Sequence, residues 1–211
     1  MPRSPTDDSD LEDFSINYMA IIIDKMAGRL HVSEITTDDE AQDEYITSLL
    51  EHNDFDAMQG IFYRAAIRDG DSYAMVEPQT LRWTAEPAYD GFSGVVAIFS
   101  PSQDYPIWAC KLWSEAENQD LAEDETSSMT VMRMDVYQPG LITYWRGGIG
   151  EQEVEPDGDD QPWSLGFVPI VHFANLIDNY TQYGKSELRK AIPIQNVLNR
   201  TLHSMVMASE F

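Results

Sequence analysis

The chain has 211 residues, 43% of them hydrophobic and 11% aromatic, enough to bury a sizeable core and too apolar for a disordered polypeptide. Thirty-seven acids face 13 bases, a formal net charge of -24, and a field of that sign repels nucleic-acid phosphates. No apolar run reaches the roughly 18–20 residues of a membrane span, the N-terminus turns acidic without a signal-peptide core, and a lone cysteine, Cys110, leaves no intrachain disulfide and fits an intracellular origin.

The charge is uneven. Residues 1–60 carry 15 acids and 3 bases, whereas residues 161–211 carry 3 acids and 4 bases. The C-terminal end therefore escapes the acidity of the rest, which suggests that it meets something other than bulk solvent. A salty cytoplasm is a second explanation of the acidic body.

Residues 11–30 read as a helix, with Phe14, Tyr18, Ile21 or Ile22, Met26 and Leu30 at helical spacing and Gly28 weakening the last turn. A second helix is expected from Asp38 to about His52, capped by Thr37 or Asp38 with acids in its first turn. A third opens at Asn53 or Asp54 and ends in Arg68-Asp69-Gly70, with Gly70 as its left-handed terminator.

Beyond Gly70 the period changes to two. Ser72–Glu77, Leu81–Ala85, Val95–Phe99, Ile107–Trp113, Met129–Tyr137 and Leu141–Arg146 are the expected strands. Gln138-Pro139-Gly140 suits a type II turn between the last two. The stretches 115–125 and 151–160, each with six acids and no base, read as solvated loops.

A final helix is expected from about Ser186, with Ser186 as N-cap and Pro193 either kinking it or occupying the first position of a new helix. Ile194, Val197 or Leu198, Leu202, Met205 and Ala208 form its apolar stripe. It reaches Phe211 without Gly, Pro or a basic last turn, so the polypeptide reads as cut short.

Chemistry is sparse. His31, His52, His172 and His203 show no metal-ligand spacing and Cys110 has no partner, so no metal site is expected. Neither a phosphate-binding glycine loop nor a Gly-x-Ser-x-Gly elbow is present. A calcium loop started at Asp157 would need Gly and Glu where Pro162 and Val168 stand. No catalytic residue, cofactor or metal is assigned. Trp83, Trp108, Trp113, Trp145 and Trp163 fall in or beside the strand region, where packing roles are expected, because base-stacking platforms come with a basic groove.

Three segments, in order, resemble the portal proteins of tailed bacteriophages, particularly the branch with long-tailed phage members. NYMAIIIDKMAGRL (17–30) is similar to an early "Asn…Ile/Val-Asp…Ala-x-Arg-Leu" helix. HNDFDAMQGIFYRAAIRDGDSYAMV (52–76) is similar to an "Asn-Asp-x-Asp" helix leading through "Ala-x-x-x-Gly-x-x-Tyr" into a strand. GFVPIVHFANLIDNYTQYGKSELRKAIPIQNVLNRTLHSMVMASEF (166–211) resembles a "Gly-x-Val-Pro-Val-Val-x-Phe" strand, then "Gly-x-Ser-x-Leu", then a long helix with "Ala-Leu-Asn-Lys". Between them, Ile107–Trp113 resembles a strand carrying "Ala-x-Lys-x-Trp".

The resemblance implies an α+β fold with N-terminal helices, an antiparallel strand-rich wing region and a long C-terminal stem helix. Residues 1–180 would form the wing and 181–211 the start of the stem. It implies a non-enzymatic ring, usually dodecameric, at one capsid vertex of the virion, assembled in the host cytoplasm. DNA would pass through without specific binding, driven by the terminase motor, and the ring would also meet capsid and tail-adaptor proteins. Members are usually more than twice as long, so the clip, the remaining stem and the crown are missing. On this reading Ile194, Leu198, Leu202 and Met205 pack against a neighbouring subunit. The competing classes are an acidic, salt-adapted α+β hydrolase, marked by a pocket with two carboxylates in unequal environments, and a ligand-binding module, marked by exposed tryptophans in a row.

Overall fold

The helical spacing of residues 17–69 and the period-two spacing that follows both appear in a computed structural model, which describes residues 17–77, 80–100, 105–120, 126–148, 154–164, 166–178 and 181–209. Helix α1 spans Tyr18–Ala27, with the Asn17 side chain accepting from the Met19 N–H; residues 11–16 of the expected helix lie outside the described residues. Helix α2 spans Glu40–His52. Its cap is Asp39, not Thr37 or Asp38: Asp39 Oδ1 accepts from the Ala41 N–H, while Thr37 donates its N–H and hydroxyl to Asp43 Oδ1. Helix α3 spans Phe55–Asp69 and stops at Gly70, φ 101°.

Nine strands follow among the described residues: β1 Asp71–Val76, β2 Trp83–Pro87, β3 Gly94–Phe99, β4 Pro106–Asp120, β5 Thr126–Gln138, β6 Leu141–Gly148, β7 Glu155–Pro156, β8 Gln161–Pro162 and β9 Ile170–Ala174. They form two antiparallel sheets. The smaller has the order β2-β1-β9; the larger runs β3-β4-β5-β6-β7, with β8 also on β6. This is the expected α+β organisation.

Three expectations about the strand region need correction. The strand placed at Leu81–Ala85 begins two residues later, because Leu81 takes φ 53° in the turn that precedes it. The acidic stretch 115–125 is not simply a loop. Strand β4 continues through Asp120, and its register with β5 runs unbroken to Asp120↔Thr126. The segment opposite residues 115–120, Thr126–Val131, contains no acid. The stretch 151–160 is also partly paired: Glu155 bonds Arg146 at 2.8 Å and Asp157 bonds Arg133. The Pro139-Gly140 hairpin forms as expected, with Gly140 at φ 84°, the value that the second central position of a type II turn requires.

The sheets face each other across one core. Tyr73, Met75 and Ile170 of the smaller sheet meet Val95, Ala97, Ala109, Tyr137 and Ile142 of the larger, with Val168 between. The opposite face of the smaller sheet is covered by α3. Phe62 stacks on Phe173 at 4.8 Å, Phe55 meets Trp83 edge-on at 5.8 Å, and the Ser72 hydroxyl donates to the Phe62 carbonyl at 2.9 Å. Helix α1 packs on α3, where Arg64 pairs with Asp24 at 2.6 Å and Gln59 Oε1 accepts from the Val32 N–H at 2.8 Å. The layers are therefore helix, small sheet, large sheet.

None of the five tryptophans is exposed; Trp163 is buried and its indole N–H donates to the Phe167 carbonyl at 2.9 Å. Cys110 is buried on β4, and desolvation pushes its thiol up to about 11. A thiol so held is a poor nucleophile at neutral pH. Iodoacetamide at pH 7.5 is expected to leave Cys110 unmodified in the folded chain and to alkylate it in urea. Equal labelling rates in both states contradict the packing described here.

Candidate subunit interface

After β9 the chain must leave the sandwich and start its last helix, and an assembled set of contacts fixes where it does so. Asp71 Oδ1 bonds His172 Nε2 at 2.7 Å and accepts from the Gly184 N–H at 2.7 Å. The His172 ring stacks between Tyr73, 4.9 Å away, and Phe99, 4.8 Å away. The Tyr183 hydroxyl donates to the Ala97 carbonyl at 2.7 Å, which ties the exit segment to the large sheet as well.

Backbone closes the same corner. The Asn175 N–H donates to the Gly70 carbonyl at 2.8 Å and the Lys185 N–H to the Asn175 carbonyl at 2.7 Å. Gly184 lies so close to Gly70 that a Cβ on it would sit 2.0 Å from the Gly70 carbonyl oxygen. Only glycine fits there. Ser186 then donates its hydroxyl to the Arg68 carbonyl and accepts from the Leu188 N–H at 3.1 Å, serving as the expected N-cap.

The final helix expected from about Ser186 is divided, and the division falls two residues before Pro193 rather than at it. A 3-10 turn, Glu187–Lys190, precedes helix α4, Ala191–Ser209. Pro193 falls in the first turn of α4, where its missing N–H costs no intrahelical bond. Gln195 is buried and accepts from the Tyr18 N–H at 3.1 Å, fastening α4 to the start of α1. Sequence reasoning missed Gln195. Its signal was a polar residue inside an otherwise apolar helical stripe.

Beyond that attachment one face of α4 is open to solvent. Ile194 is 71% exposed, Val197 64% and Met205 63%. Leu198 and Leu202 are half-buried, at helical spacing with the buried Gln195. The four residues assigned to subunit packing are thus not equivalent. Ile194 and Met205 stand outward with Val197, and Leu198 and Leu202 lie toward the Gln195 side. Residues 191–209 contain one charged side chain, Arg200, and no acid. A helix with such a face has unsatisfied apolar surface and no electrostatic bar to association.

A second feature lies at the other end of the helical layer. The segment 32–35 and helices α2 and α3 enclose an open groove of about 350 Å³. Val32, Ile35, Leu50 and Phe55 supply its apolar lining, and Glu34, Glu51, Asp54 and Asp56 its charge.

Among the described residues no group of His, Cys, Asp or Glu is arranged to hold a metal ion, and no helix is long and apolar enough to cross a membrane. Among the described residues, the one carboxyl with a markedly raised pKa, Asp135, lines neither this groove nor the recess at Lys111 and Trp113. No curated protein matches the chain. The sequence pattern of the family described as Phage portal protein, SPP1 Gp6-like, matches residues 10–210, and the chain belongs to that family of phage portal proteins.

Proposed function

We propose that this protein is a structural, non-catalytic subunit of the portal ring at a capsid vertex, the channel for DNA packaging, head–tail joining and ejection. Residues 1–180 are the wing and residues 181–211 the beginning of a stem. Its partners are other copies of itself, the terminase motor, capsid proteins and a tail adaptor in the virion. Family membership supports this reading. The observation that carries the self-assembly part is α4: an apolar helix held in one direction by the Asp71–His172–Gly184 corner and left bare along Ile194, Val197 and Met205. An acidic body suits a conduit, since a net charge of -24 gives DNA no surface on which to stall.

The test is a double substitution, Ile194→Asp with Met205→Asp. Both side chains are exposed, so the thermal midpoint is expected to stay within about 1 °C, as for surface changes generally. Self-association measured by sedimentation is expected to weaken by about tenfold or more, because each buried aliphatic anchor contributes roughly 1.5–3 kcal/mol. Unchanged assembly of the double variant overturns the role of α4. Leu198→Asp with Leu202→Asp provides the contrast, since these half-buried positions should also lower the thermal midpoint.

A further inference from the structure

We infer that the groove between residues 32–35 and helices α2 and α3 is the seat for helix α4 of a second copy of this chain. The inference rests on the assembly role of α4 proposed above and names the surface that receives it.

The two surfaces are complementary in apolar character and in charge. The groove has an aliphatic and aromatic lining, with Val32 37% and Ile35 42% exposed, although both are large hydrophobic residues. Its rim holds Glu34, Glu51, Asp54 and Asp56, all exposed, and none of them forms an ion pair among the described residues. The surrounding stretch 38–56 has eight acids and neither Lys nor Arg. A ligand for such a groove must be apolar on one face and basic at its margins.

The exit segment of the same chain has that chemistry. Ile194 and Val197, one turn apart, are the most exposed aliphatic side chains of α4. Arg189, Lys190 and Arg200 flank them, all exposed and without ion pairs among the described residues. An amphipathic helix laid into an apolar groove, anchored by residues at i and i+3, is a recurrent recognition mode. Within its own chain α4 packs chiefly on the 3-10 turn and on α1, so the Ile194–Val197 face is free for another copy.

Charge also disfavours a symmetric pair made through the groove itself. Two grooves brought together would place eight rim carboxylates against one another, and like charges across an interface are strongly disfavoured. Helix into groove is a head-to-tail contact between different surfaces, the kind that generates rings when the rotation closes.

Disulfide trapping between two single-site variants tests this directly. Val32→Cys chain is mixed with Val197→Cys chain under mild oxidation; Cys110 is buried and does not compete. The mixed disulfide is expected to exceed either homodisulfide about tenfold. Carrying Arg189→Glu, Lys190→Glu and Arg200→Glu on the Val197→Cys chain should cut that yield about tenfold. Adding Glu34→Lys and Glu51→Lys to the Val32→Cys chain should restore it. A dominant Val197–Val197 disulfide overturns the groove assignment while leaving α4 as an assembly helix. Monomeric sedimentation of the unmodified chain with no disulfide in any mixture overturns both.

Discussion

Gly184→Ala is expected to lower the thermal midpoint by roughly 6–12 °C. The added methyl would sit 2.0 Å from the Gly70 carbonyl oxygen and 2.6 Å from both the nitrogen and the oxygen of Asn175. All three are backbone atoms, so no side-chain rotation can make room. Overpacking of a closed site costs about 3 kcal/mol at its upper range, and a chain of this size loses roughly 2–4 °C per kcal/mol. The change would also displace the Asp71–Gly184 bond and with it the direction of α4. Melting followed by circular dichroism, with sedimentation alongside, reads both effects. A variant that melts with the parent contradicts the close approach of residues 70 and 184.

Asp135→Asn is expected to stabilise the protein at pH 7.5 by about 1–2 kcal/mol. Asp135 stands on β5 opposite Lys111 and Tyr144, and desolvation pushes its carboxyl up to about 6. The Tyr137 hydroxyl, which donates to it at 3.2 Å, and the charges of Lys111 and Arg133 pull the other way; Asp157 adds to the rise. A rise of about two pH units corresponds to about 3 kcal/mol in a dry site, and partial solvent access reduces it to the value expected here.

The sign follows from proton linkage. Between about pH 4 and 6 the folded chain holds a proton at Asp135 that the unfolded chain has released. The group's contribution is complete below its unfolded value and is lost as pH rises through about 6. The parent should therefore gain stability over the variant on acidification from pH 7 to 4. Parallel pH profiles for the two proteins show that the carboxyl is not desolvated.

Local signals in the sequence determined the elements. Apolar residues three and four apart define α1 and α3, acids crowding a first turn mark α2, Gly70 ends α3, and Pro139-Gly140 turns β5 into β6, because these outcomes depend on backbone sterics and neighbours a few residues away. The quoted segments also carried the family. Charge could not be read so locally. The acids of 115–120 and 155–157 suggested solvent, yet their strands pair with partners that only a long-range register identifies.

The apolar period of α4 was legible, but which of its residues face the body was not. Gln195 bonds a backbone group 177 positions away, and that contact turns Leu198 and Leu202 inward and leaves Ile194, Val197 and Met205 in solvent. The groove of Val32, Ile35, Leu50 and Phe55 likewise exists only once α2 and α3 have packed. Helical spacing specifies a face. Tertiary contacts decide what that face meets, since burial free energy depends on the neighbours that remove it from water.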